Sequence, residues 1–187
     1  SSDLCSLSEN FLIKKNIQYT KSPKNIGLCS AVNIASKKTK HNLILYSHDD
    51  MYFLPGWDNE FINQINDIGH NKFYLSSTHI SAHVSNKGKV EHIVFDAGDN
   101  IDNFNEKKLL DNYNNLKFND LQGSHWAPHL IHKQLWNKIG GFSEEFNPGF
   151  ASDPDLNMKL WRENTRIFKG LAKCLVFHFG SVVTRRN

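Results

Sequence analysis

Apolar positions in the first third of the chain alternate between helical and extended periods. Ser6-x-x-Glu9 precedes Phe11, Leu12 and Ile13, a capping-box pattern that predicts a short helix ending near Asn16. Residues 17–20 form a short β-branched and aromatic run that reads as a strand, with a turn at Ser22-Pro23-Lys24-Asn25. Leu28, Ala31, Val32 and Ala35 then recur at spacings of three and four, so residues 27–38 predict an amphipathic helix. The unbroken apolar run at 43–46 is the pattern of a strand covered on both faces in a parallel sheet. This alternation points to an α/β layer architecture.

Farther along, Trp57, Phe61, Ile62 and Ile65 mark a helical stripe over 55–68. Residues 72–80 and 89–95 read as two strands joined as a hairpin through Asn86-Lys87-Gly88. A helix is expected within 106–116, another over 131–139 closed by Gly140, and a third over 153–163 with Pro154 in its first turn. Residues 175–179 read as a late strand. No repeat or linker divides the chain, so one domain over 1–187 is expected.

Composition narrows the functional classes. With 39% hydrophobic and 22% charged residues among 187, the chain can bury a core and is no disordered segment. The net charge of +3 is scattered, and Lys37-Lys38 and Arg185-Arg186 are too short for a basic stripe, so no nucleic-acid partner is expected. No apolar run is long enough for a membrane span. Cys5, Cys29 and Cys174 are odd in number and widely separated, which suits a reducing compartment, and a cytoplasmic location is expected.

Three polar clusters could carry chemistry. Ser47-His48-Asp49-Asp50-Met51 follows the apolar strand at 43–46, where open α/β sheets bind ligands. One carboxylate there could hold a divalent cation and the other a sugar hydroxyl, or the pair could simply cap the next helix. Ser152-Asp153-Pro154-Asp155-Leu156 opens a helix, with Asp153 a natural N-cap and both carboxylates favoured by the helix dipole. An ionised carboxylate held there could also act as a general base. His178, between Phe177 and Phe179, is either a core histidine or, if it folds back toward Asp50, part of a ligand set suited to Mn²⁺. His125, His129 and His132 lack the HExxH spacing, and no Walker loop, GxGxxG or GxSxG occurs.

In order and spacing these clusters resemble family 2 glycosyltransferases. Ser1-Ser2-Asp3 resembles the tail of that family's Asp-rich turn, and Asn25-Ile26-Gly27 with Ala31 and Asn33 its Asn-x-Gly helix opening. Residues 45–50 resemble its strand and DxD-type motif, with His48 at the first place, followed by Pro55-Gly56-Trp57. Lys138-Ile139-Gly140-Gly141-Phe142-Ser143-Glu144-Glu145-Phe146 resembles the GGFDE segment, which leads into the acidic pair Asp153 and Asp155 and a late histidine, here His178. The resemblance implies the GT-A fold, a Rossmann-like mixed sheet flanked by helices. It also implies that the family's first strand precedes Ser1, that residues 1–80 form the nucleotide-sugar half and that 81–187 form the acceptor half.

The function implied by the resemblance is inverting, hexosyl-type transfer from a nucleotide-diphosphate sugar to a glycan or other hydroxyl acceptor. It assigns Asp50 and His178 to a Mn²⁺ or Mg²⁺ ion, Gly27, Asn33 and Asp49 to the donor, Asp153 to the general base, and Trp126 and Asp155 to the acceptor. A metal-dependent phosphoester hydrolase and a non-catalytic nucleotide- or carbohydrate-binding module of the same fold are the alternatives.

Overall fold

The computed structural model describes residues 2–83, 89, 91–116 and 118–180, with side chains from Ser6 onward. The chain runs α1 (Ser2–Lys14), α2 (Leu28–Lys38), β1 (Leu43–Tyr46), β2 (Met51–Phe53), α3 (Trp57–Ile68), β3 (Phe73–Ser81) and β4 (His92–Val94). It continues through α4 (Glu106–Asn112), β5 (Leu121–Gln122), β6 (His129–His132), α5 (Lys133–Ile139), α6 (Ser152–Arg162) and β7 (Ile167–His178). One seven-stranded sheet, β1-β6-β3-β7-β2, carries β4 on β3 and β5 on β7. The sheet is mixed: β3 is parallel to β7 and β4, whereas β6 is antiparallel to both β1 and β3.

Fully buried β3 is the spine. Tyr74 joins the core under α2, α5 and α6, while Phe73 and Leu75 face a second cluster with Phe61 of α3. That alternation follows from the two-residue period of a strand. Ser76 and Thr78 of β3 find partners locally, whereas the Ser77 hydroxyl is buried without one. Ser76 Oγ donates to the Trp126 carbonyl at 2.8 Å and Thr78 Oγ1 to the Leu171 carbonyl at 2.9 Å.

Several sequence expectations need correction. Ser6 lies inside α1, not at its cap, because the helix already begins at Ser2. Glu9 instead accepts hydrogen bonds from the Tyr19 hydroxyl at 2.8 Å and Lys21 Nζ at 2.5 Å. Residues 17–20 carry no strand, since no neighbouring strand pairs with them. Both faces of β1 are packed, but its neighbour β6 is antiparallel, and the strand alternates between partly and fully buried positions. Residues 72–80 and 89–95 do not form an antiparallel hairpin: β3 and β4 pair in parallel, with His79 opposite His92. The turn placed at Asn86-Lys87-Gly88 lies outside the described residues, as does the Arg185-Arg186 pair. Residues 131–132 belong to β6, so α5 starts at Lys133, with His132 Nδ1 accepting from the Gln134 amide. The late strand is longer than expected, beginning at Ile167. No helix among the described residues is long and apolar enough to cross a membrane.

Asn33 fastens α2 to the Gly141–Glu144 turn. Its amide donates to the Phe142 carbonyl at 2.9 Å, and its Oδ1 accepts the Phe142 amide at 3.0 Å. Asn33→Ala leaves both buried backbone groups unpaired, so chemical denaturation should register a loss of about 1–3 kcal/mol. An unchanged denaturation midpoint would contradict this structural role.

Candidate active site

Asp50 occupies the turn between β1 and β2, and His178 is the last residue of β7. Antiparallel pairing of Met51 with His178, together with the Phe179 amide bonded to the Asp50 carbonyl at 3.0 Å, draws the two together. His178 Nε2 lies 3.2 Å from Asp50 Oδ2. This neighbour chiefly holds the Asp50 carboxyl below its ordinary range, against the opposing effect of burial. His48 Nδ1 stands 4.0 Å from Asp50 Oδ1, and its Nε2 is 2.9 Å from the Tyr46 hydroxyl. Burial lowers the His48 pKa, partly offset by Asp50, which favours a neutral ring with a free lone pair.

His48, Asp50 and His178 can therefore each offer one ligand atom, all within 4.8 Å of one another. Asp50 Oδ1 and His178 Nδ1 are buried and without hydrogen-bond partners. Because buried polar atoms are almost always satisfied, these orphaned acceptors fit a cation. One carboxylate with two imidazoles suits Mn²⁺-like ions. The sequence points to Asp50 and His178 but does not assign His48 to the ion. Its signal is the two-residue offset from Asp50, but residues leaving a strand into a turn do not keep strand parity.

Asp153 lies in the first turn of α6 and is not its cap. Ala151, at φ 63°, caps the helix, and Ser152 is held by its amide and hydroxyl to the Gly149 carbonyl. That tight turn starts the helix one residue before the expected position. One Asp153 carboxylate oxygen is buried without a partner. Burial raises its pKa from 3.8 to about 6, outweighing the opposing effect of His125. Burial chiefly raises the Tyr46 pKa, and the negative charges of Asp153 and Asp50 add to the shift.

The remaining predicted residues have definite neighbours. Asp155, roughly 200° around α6 from Asp153, accepts the Ser143 hydroxyl at 2.6 Å. Trp126 Nε1 donates to the Ser77 carbonyl at 2.8 Å, and its ring lies over Gly170, where a Cβ would come within 2.8 Å. Gly27 precedes α2 at φ 79°, and a Cβ there would stand 2.3 Å from Asn147 Oδ1. Asp49 is exposed beside Asp50, while Asn33 is tied to Phe142. A separate groove of 1210 Å³ between residues 17–27 and α2 includes Gly27 but none of Asp50, His178 or Asp153.

Among solved structures, the fold is similar to GalNAc-T7 with UDP, GalNAc and Mn²⁺, at 13% identity and a TM-score of 0.63, over 92% of this chain and 34% of that one. It is also similar to residues 1–349 of S. aureus TarS, at 14% identity and a TM-score of 0.60, over 93% of this chain and 47% of that one. The chain thus spans between a third and a half of these structures, with which it shares the GT-A fold. No curated protein matches it. The model of glycosyl transferase family 2 matches residues 6–140, most of the sequence, and the chain belongs to that family.

Proposed function

We propose that the chain is a metal-dependent, inverting glycosyltransferase that moves a sugar from a nucleotide-diphosphate donor to a hydroxyl of a glycan or similar acceptor. The observation that carries this reading is the approach of Asp50, His178 and His48, whose ligand atoms lie within 4.8 Å of one another, with Asp50 Oδ1 and His178 Nδ1 buried and unpartnered. Family membership and the GT-A fold support it. Mn²⁺ or Mg²⁺ would be held by Asp50 and His178, with His48 as a third donor; when bound, it neutralises charge that develops on the departing diphosphate.

This chain's own residues do the rest. Asp153 takes the proton of the acceptor hydroxyl as that oxygen attacks the anomeric carbon, and the carbon–oxygen bond to the diphosphate breaks on the opposite face. Its desolvated carboxylate, with a pKa near about 6, is a stronger base than an exposed one yet still largely ionised at neutral pH. Asp155 and Trp126 orient the acceptor. Gly27, Asn33 and Asp49 shape the donor side within residues 1–80, and residues 81–187 receive the acceptor. Asn33 acts there by fixing α2 against the Gly141–Glu144 turn. A cytoplasmic site of action accords with the free, buried thiols of Cys29 and Cys174.

Incubating the chain with a panel of nucleotide-diphosphate sugars and Mn²⁺, and following nucleoside diphosphate release and anomeric configuration by NMR, tests the reading. Metal-dependent release with an inverted product is expected. Retained configuration, cleavage of simple phosphoesters instead, or binding without turnover would each contradict it.

A further inference from the structure

A second cluster of nitrogen donors lies on the same face of the sheet. His79 and His92 are register partners across the parallel β3–β4 pair. His79 also pairs with Val176 of β7, and His178 lies two residues beyond that partner. Since side chains two apart on a strand share a face, three adjacent strands bring three imidazoles together. The ring centroid of His79 lies 4.8 Å from that of His92 and 5.1 Å from that of His178.

The hydrogen bonding fixes the tautomers. A carbonyl can only accept, so His79 Nε2, 2.6 Å from the Ala127 oxygen, is the donor there. In the neutral ring His79 Nδ1 is then an acceptor, and His92 Nε2 donates to it at 3.0 Å. That leaves His92 Nδ1 as a lone pair, buried and without a partner, on a side chain only 5% exposed. His178 Nδ1 is likewise buried and unpartnered. One nitrogen from each of the three rings falls within 4.8 Å of the other two.

We propose that His79, His92 and His178 form a site for a borderline transition-metal cation of the Zn²⁺ class, which shares His178 with the carboxylate-containing set around Asp50 but does not use that carboxylate. Two nitrogens on a tetrahedral Zn²⁺, at about 2.0–2.1 Å from it, are roughly 3.3 Å apart. The 3.0 Å contact between His79 and His92 needs only a slight opening to admit the ion. Ligation through His92 Nε2, the atom at that contact, requires the ring's one proton to move to Nδ1. The bond from His79 Nε2 to the Ala127 carbonyl is the outer-shell contact that orients a ligating imidazole. All-imidazole donors select Zn²⁺ or Cu²⁺ over Mn²⁺ by softness and by the general order of divalent affinities.

Zn²⁺ titration calorimetry on the whole chain without nucleotide tests the site, using His92→Gln and Asp50→Asn. His92→Gln should weaken Zn²⁺ binding by more than about 10-fold, and Asp50→Asn should leave it near the parental value. Electron paramagnetic resonance of Cu²⁺ bound to the unsubstituted chain should show three imidazole nitrogens, a readout that survives even if a variant folds poorly. Absence of Zn²⁺ binding, parental binding by His92→Gln, loss of binding in Asp50→Asn or fewer than three nitrogens would overturn the assignment. Asp50→Asn also separates this site from the proposed transferase centre, because only that centre needs the carboxylate.

Discussion

Asp153→Asn should lower the turnover number by at least about 10²-fold while leaving donor affinity near the parental value, because a base acts in the transition state and not in donor binding. The fold should tolerate the change. Asp153 does not cap α6, so no capping bond is lost. Its pKa is raised from 3.8 to about 6, so the ionised form is disfavoured in the folded protein. The cost of that charge is fully present above about pH 6 and is relieved as pH falls through 6 toward 4. The neutral Asn variant should therefore melt at or above the parental temperature at neutral pH. The parent's turnover should decline as pH drops through about 6, where the base takes up a proton, and the residual activity of Asp153→Asn should lack that limb. Asp155, held by Ser143, should act through the acceptor's Michaelis constant. Near-parental turnover in Asp153→Asn, with Asp155→Asn inactive, would reverse the two roles.

Asp50→Asn should abolish Mn²⁺-dependent nucleotide binding, measured by calorimetry with UDP in the presence of Mn²⁺. The substitution removes the one carboxylate in the set formed with His48 and His178, and with it the negative charge that favours a divalent ion there. His178→Ala should weaken binding less, because Asp50 and His48 remain. If both variants bind Mn²⁺ and UDP as the parent does, the ion sits elsewhere. The effect should appear in donor affinity, which distinguishes it from that of Asp153→Asn.

How much of the fold the sequence reveals depends on how local each signal is. Helix α2 is legible because its apolar residues repeat over three turns, and Gly140 marks the end of α5 because a left-handed cap at φ 76° favours glycine. β2 and β5 are not, because strands of three and two residues carry too little periodicity. The parallel β3–β4 pairing is hidden because strand direction is decided by the connection, and the patterns of 72–80 and 89–95 are the same for either sense. Asp50 and His178 are legible as motif positions. Their 3.2 Å approach depends on the β2–β7 register, which joins residues 128 apart in sequence. His79 and His92 have the pattern of ordinary strand residues, and only the cross-strand register makes them neighbours of His178.

Calorimetry of the parental chain with UDP, GDP and dTDP, each with and without Mn²⁺, most directly tests the claim that Asp50, His178 and His48 form a metal-dependent donor site. At least one nucleoside diphosphate should bind only when Mn²⁺ is present. Equal binding with and without the ion, or no binding of any of the three in its presence, would contradict it.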